Sequence, residues 1–70
     1  MKVHFEKALA RLERLLDEHA RRAQEAVASA VEAMETGNAN LAACVIAGDR
    51  EIGLAENHIE ETCLEILALY

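Results

Sequence analysis

The amino-acid sequence predicts an all-α fold in which two long antiparallel helices form a hairpin that dimerises into a four-helix bundle. Apolar residues recur at steps of three and four through two runs of the chain, as expected for helices with one apolar face. A Gly37-Asn38 pair separates the two runs. The 70 residues include no proline and are rich in alanine, leucine and glutamate, which favour helices. At this length the chain forms at most one small domain.

The first helix is predicted to run from about residue 4 to residue 36. Its main apolar row starts with large side chains, continues with alanines and includes one histidine: Phe5, Leu9, Leu12, Leu16, His19, Ala23, Ala26, Ala30 and Ala33. Four further side chains widen this stripe: Leu15, Val27, Val31 and Met34. Asp17–Arg21 and Glu18–Arg22 have the i,i+4 spacing of ion pairs on an exposed helix face. The alanine half of the helix permits a closer approach of its partner.

The break at residues 37–39 is predicted to be a tight turn. Gly37 suits the left-handed backbone conformation that commonly ends a helix. Asn38 is a favourable N-cap for the helix that follows, because its side chain accepts a hydrogen bond from a backbone N–H of the first turn.

The second helix is predicted over about residues 40–69 and carries two parallel rows. The first row is mainly apolar and should face the first helix: Leu41, Val45, Gly48, Ile52, Ala55, Ile59, Thr62, Ile66 and Leu69. The second row is apolar at both ends and acidic in its middle: Ala42, Ile46, Asp49, Gly53, Glu56, Glu60, Cys63, Leu67 and Tyr70.

Self-association is expected from the width of these stripes. Each helix would be roughly 45–50 Å long, and its apolar stripe is wider than a single helix–helix seam requires. In a monomer the outer part of each stripe would face water as a long apolar patch. A symmetric dimer that closes a four-helix bundle is the simplest way to cover it.

Composition excludes several functional classes. The net charge of −6 and the lack of a basic stripe argue against nucleic-acid binding, which needs clustered Lys and Arg. No apolar run is long enough for membrane insertion, and the charged N-terminus does not resemble a signal peptide, so a cytoplasmic location is expected. Cys44 and Cys63 would lie roughly 28 Å apart on one helix, so they should not form a disulfide with each other.

The second helix resembles that of the PhoU family of bacterial phosphate-signalling regulators. The similar positions are the apolar pair Val45-Ile46, then Asp49, Ile52, Glu56 and the stretch Ile59–Leu64. The opening His4-Phe5-Glu6 also resembles the start of PhoU chains. PhoU proteins are usually built from three-helix repeats, so the resemblance implies that residues 1–70 form a single partial repeat containing its first two helices.

The resemblance implies a regulatory or adaptor role that operates through protein–protein interaction. In the family this role belongs to phosphate homeostasis and transcription regulation, and the implied partners are the phosphate-transporter ATPase and a sensor histidine kinase. We do not expect an enzyme, because no acid, base or nucleophile constellation is recognisable. Two alternatives remain: a metal-binding helical bundle with carboxylates at an oligomer interface, and a structural oligomer without regulatory activity.

Asp49, Glu56 and Glu60 are the candidate metal ligands, with His19 or His58 as possible additions. Some PhoU proteins bind metal through acidic residues four apart, a spacing that brings two carboxylates to one ion. Gly53 stands where the second carboxylate of that pattern would be. The competing interpretation is a solvated face or simple pairing, since in an antiparallel hairpin Glu56 would be close to His19 and Arg22. No tightly bound cofactor is otherwise expected.

Overall fold

The computed structural model describes residues 2–70, which form two antiparallel α-helices joined by a tight turn. Helix α1 spans Lys2–Thr36 and helix α2 spans Ala39–Leu69. The predicted fold class, an all-α helical hairpin, is confirmed, whereas dimerisation stays a prediction. The hairpin is a rod with extents of 53 × 15 × 11 Å. Neither helix in the described range has the length and apolar character needed to cross a membrane.

Gly37 and Asn38 together end α1 and begin α2. Gly37 has a φ of +65°, and the backbone N–H of Asn38 donates a hydrogen bond of 3.1 Å to the carbonyl of Ala33. This bond is typical of a Schellman ending, in which a left-handed residue lets the chain satisfy a terminal carbonyl. Asn38 itself is extended, and its Oδ1 accepts a 3.0 Å hydrogen bond from the N–H of Leu41. The turn therefore rests on local hydrogen bonds.

Substitution of Gly37 tests the role of this turn. Gly37→Ala forces an L side chain into the left-handed region, so we expect the free energy of unfolding to fall by about 1–2 kcal/mol. Gly48→Ala is the matched control, because Gly48 is helical and an added Cβ there would meet nothing within 4 Å. The control should instead gain up to about 1 kcal/mol through helix propensity. Urea unfolding measures both, and equal losses at the two sites would contradict the turn's proposed role.

The two helices meet along one seam. From α2 the half-buried seam residues are Leu41, Val45, Gly48, Ile52, Ala55, Ile59, Thr62 and Ile66. From α1 they are Ala8, Leu12, Leu15, His19, Ala23, Ala26 and Ala30. Leu15 is therefore in the seam, while Leu16, which the main apolar row contained, keeps 46% of its surface exposed. Both leucines fit a helical step from Leu12 to His19, and only the position of α2 decides between them.

The seam does not enclose a complete core. Within residues 2–70, Ala33 alone is buried, with 6% of its surface exposed, and no side chain is fully enclosed. Many large apolar side chains remain exposed: Val3, Phe5, Leu9, Leu16, Val27, Val31, Met34, Ile46, Leu54, Leu64, Leu67, Leu69 and Tyr70. Small domains are marginal even with a closed core. The hairpin therefore leaves a large apolar surface exposed.

Candidate functional site

One side of the hairpin carries most of the exposed large apolar side chains of α1, together with Ile46 and Leu67 of α2. Near the turn, Met34 of α1 and Ile46 of α2 line the same shallow depression. At the other end the rings of Phe5 and Tyr70 pack edge to face, with their centroids 5.3 Å apart. Helical steps of three, four and seven continue this side along α1. We name it the apolar side and define it by Phe5, Leu9, Leu16, Ala20, Ala23, Val27 and Met34 of α1 with Ile46, Asp49, Gly53, Glu56, Glu60 and Leu67 of α2.

The opposite side of the hairpin, which we name the polar side, carries charged and polar side chains along two grooves that also contain apolar residues of the seam. Glu25, Ser29 and Glu51 line an open groove there beside Gly48. A second groove, toward the free ends of the helices, is lined by residues that include Glu18, Arg22 and His58. The side chain of Arg22 donates to Glu18 at 3.3 Å, as the i,i+4 spacing predicted. The two sides of the rod therefore differ in chemistry, and the apolar side is the candidate surface for a partner.

An acidic row, which we define as Asp49, Glu56 and Glu60, lies in the middle of the apolar side. All three residues are exposed. Glu56 and Glu60 are one helical turn apart, about 6 Å along the axis, whereas Asp49 lies about 10 Å from Glu56. Among residues 2–70, ion pairing of this row is confined to Glu56, so neither Asp49 nor Glu60 contacts a basic side chain. The middle of the surface is therefore negatively charged.

His19 connects the seam to the acidic row. Its Nε2 lies 3.2 Å from Glu56 Oε1, and the side chains of His19 and Glu56 are 17% and 63% exposed. Because a carboxylate only accepts hydrogen bonds, Nε2 is the donor. Of the two pairings considered from the sequence, the structure shows His19–Glu56, while Arg22 contacts Glu18 instead. His19 Nδ1 is buried and has no hydrogen-bond partner within the described chain.

Metal binding by Asp49, Glu56 and Glu60 stays a prediction. Residues 2–70 contain no group of three or more His, Cys, Asp or Glu side chains arranged to hold a metal ion. Glu56 and Glu60 have the one-turn spacing that allows two carboxylates to share a cation. His19 is close to this pair, whereas His58 lines the groove on the opposite side. Any further ligands would have to come from outside residues 2–70.

Cys44 and Cys63 form no disulfide within the described chain. Cys44 is exposed and Cys63 is half-buried, and both are unpaired within the described chain. Cys44 lines the polar groove next to Gly48, on the side away from the acidic row. The expectation that they do not pair with each other agrees with this arrangement.

Sequence reasoning identified both rows of α2 but missed which row of α1 lies beside the acidic one. The handedness of the hairpin decides which row of α1 lies on the same side as the acidic row of α2. Two antiparallel helices with the same seam can place these rows on one side or on opposite sides. Val27 and Met34 are 65% and 75% exposed on the same side as Ile46, which is also 75% exposed.

Comparisons with known proteins agree with the resemblance seen in the second helix. A family model described as the PhoU domain matches residues 16–70. A similar curated protein is the phosphate-specific transport system accessory protein PhoU homolog of Aquifex aeolicus (strain VF5), which is 47% identical over 47 residues. The match covers 67% of this chain and 21% of that protein, so the chain spans about a fifth of its relative's length. No solved structure matches the chain. Since the family model covers most of its length, the chain belongs to the PhoU family.

Proposed function

We propose that this chain is a regulatory or adaptor element of bacterial phosphate signalling that works by binding other proteins. Membership of the PhoU family supports the phosphate context. The relative from Aquifex aeolicus is named as an accessory protein of phosphate-specific transport, which supports a role beside a transporter. The proposal assigns a binding role and no catalytic step.

The uncovered apolar side is the observation that carries a binding role. Val27, Ile46 and Leu67 expose 65%, 75% and 76% of their surfaces to water. Large apolar patches rimmed by polar groups mark interaction surfaces on soluble proteins. Burying a side chain of this size contributes about 1.5–3 kcal/mol, so several together supply ample free energy for a specific complex.

The phosphate-transporter ATPase and the sensor histidine kinase are the proposed partners. Binding to the kinase would link the chain to transcription regulation, and binding to the ATPase would link it to phosphate uptake. The test is affinity capture with the tagged chain from a phosphate-replete lysate of its native bacterium, with recovered proteins identified by mass spectrometry. We expect at least one of the two partners, and recovery of neither would contradict the proposed role.

Metal binding is the second candidate function, favoured by the one-turn spacing of Glu56 and Glu60 on an exposed face. It predicts that Mg²⁺, Ca²⁺ or Mn²⁺ raises the melting temperature in proportion to the logarithm of metal concentration above Kd. Glu60→Gln should remove the rise, while Glu65→Gln, on the polar side, should retain it. A melting temperature that does not change at millimolar metal removes this candidate and leaves the protein-binding role unaffected.

A further inference from the structure

We infer that two copies of this chain pair along the outer face of α1, with the two α1 helices antiparallel and their charges matched. The residues that would meet form a charged row, which we define as Lys7, Arg14, Glu18, Arg21, Glu25 and Glu32. This inference goes beyond the proposed function, because it rests on the order of charges along α1 and not on the phosphate role.

The charged row is a single exposed line along α1. It combines a basic series and an acidic series, each with a step of seven residues: Lys7, Arg14 and Arg21, and Glu18, Glu25 and Glu32. A step of seven drifts by only about 20° around an α-helix, and the four-residue step from Arg14 to Glu18 also stays on one face. All six side chains are exposed. The line is therefore mainly basic toward the free ends of the helices and acidic toward the turn.

The charged row faces away from the apolar side. Leu9, Leu16, Val27 and Met34 of the apolar side each follow a member of the row by two residues. Two residues correspond to about 200° around the helix, so the two sets lie on nearly opposite faces. The charged row is therefore accessible whatever covers the apolar side.

The hairpin itself leaves most of these charges unpaired. Within residues 2–70, Glu18 is the one member of the row in an ion pair, with Arg22 at 3.3 Å. Arg14–Glu18 and Arg21–Glu25 have i,i+4 spacing, but the base precedes the acid, which is the less favourable order. Neither of these two pairs is formed in the structure. The charges are therefore available to another chain.

An antiparallel second copy of α1 matches the row at every position. In one alignment, residues whose numbers add up to 39 lie opposite each other, which gives the pairs Lys7–Glu32, Arg14–Glu25 and Glu18–Arg21. A two-fold interface uses the same patch on both copies, so each pair occurs twice. The row is therefore complementary to itself, and a second copy is the occupant that its charges fit.

Other alignments match the charges less well. Two parallel copies in register would place like charges opposite each other, which disfavours binding. A shift of the antiparallel alignment by seven residues in either direction keeps only two of the three kinds of pair. The net charge of −6 makes two copies repel each other unless opposite charges meet locally. Since exposed ion pairs are individually weak, we expect reversible association with its geometry set by charge.

Two charge-reversed variants of the chain test this pairing. Lys7→Glu with Arg14→Glu makes the row mainly acidic, and Glu25→Lys with Glu32→Lys makes it mainly basic. Each variant should associate poorly with itself, because like charges then meet at the altered positions. A mixture of the two variants should associate as the parent chain does, because opposite charges meet again. Far-UV circular dichroism establishes that both variants keep their helices.

Fluorescence anisotropy measures each Kd, with one labelled chain titrated by unlabelled chain. We expect the two variants to bind each other at least about tenfold more tightly than either binds itself. Tenfold corresponds to about 1.4 kcal/mol, which is within the reach of four exposed ion pairs.

A matched pair of variants controls for net charge. Lys2→Glu with Arg50→Glu, and Glu61→Lys with Glu65→Lys, change the net charge by the same amounts at positions outside the row. These two variants should show no such preference for each other over themselves. If they show the same preference, net charge and not the row is responsible, and the inference is overturned.

Two further outcomes would also overturn it. A parent chain that does not self-associate would show that the row pairs nothing. Self-association that is equal in the parent and in both row variants would assign the contact to another surface. Affinity capture of the ATPase or the kinase does not depend on these affinities, so the inference and the proposed function fail separately.

Discussion

Ala33→Asp is expected to unfold the hairpin. Ala33 has 6% of its surface exposed, at the closely packed end of the seam beside the turn. Residues 23–49 contain no Lys, Arg or His, so a new carboxylate there would have no cation to pair with. An unpaired buried charge costs about 3–5 kcal/mol, which is comparable with the whole stability of a small domain. Far-UV circular dichroism at low temperature should show a large loss of helix.

Ala28→Asp is the matched control for this substitution. Ala28 is on the same helix but is exposed, so the same change there should cost only about 0.7 kcal/mol in helix propensity. Helix content should therefore stay near that of the parent chain. If Ala33→Asp behaves like Ala28→Asp, the seam near the turn is not packed as the structure describes.

Removing two apolar side chains from the apolar side should weaken partner binding strongly. Val27 and Leu67 lie on either side of the acidic row and are 65% and 76% exposed, so the hairpin hardly depends on them. Val27→Gln combined with Leu67→Gln removes about 1.5 kcal/mol of burial per site in the complex, which corresponds to about a hundredfold loss in affinity for the partner recovered by affinity capture. Fluorescence anisotropy gives the affinity, and circular dichroism should show unchanged helix content.

Val3→Gln combined with Leu54→Gln is the corresponding control. These residues are 60% and 64% exposed, but their helical positions place them off the apolar side. The control pair should bind the captured partner as the parent chain does. An equal loss in both pairs would mean that exposed apolar residues bind the partner without regard to position, which contradicts a defined docking surface.

Periodicity was sufficient to predict the hairpin because the chain offers few competing signals. The predicted seam row of α2 is half-buried in the structure from Leu41 to Ile66, whereas Leu69, its predicted last member at the free end, is 69% exposed. Gly37 and Asn38 carry local conformational preferences that do not depend on tertiary contacts, so their roles at the turn were also predictable. The helices and the turn could therefore be predicted from the sequence, because they depend on interactions between residues that are close together in the chain.

The relation between the two helices was less accessible. Leu15 and Leu16 both fit the period of α1, and only the position of α2 selects Leu15, which lines the same groove as Ala55 and Ile59. The burial of Ala33 likewise depends on how closely the helices approach beside the turn. The apolar pattern of one helix shows which stripe of residues faces its partner, but it does not show which residues lie at the centre of the contact. That choice depends on how the two helices pack.

The candidate site also has some features that the sequence predicts and others that it does not. The grouping of Asp49, Glu56 and Glu60 on one row of α2 follows from helical spacing, and the pairing of His19 with Glu56 followed from the level of the turn. The sequence did not reveal that this row lies beside Val27 and Met34, because that requires the handedness of the hairpin. Metal binding at the row stays a prediction, since residues 2–70 hold no group of three or more metal-binding side chains.

Thermal unfolding with and without the partner recovered by affinity capture tests the central claim most directly, namely that the hairpin binds a partner through its apolar side. By circular dichroism, the chain alone should melt in a shallow transition at a low temperature. With that partner at a hundred times its Kd, the transition of the chain, after subtraction of the partner's own signal, should steepen and stability should rise by about 2.7 kcal/mol. An equally steep, concentration-independent transition with and without the partner would contradict the account, because it would show that two helices alone form a complete folded unit.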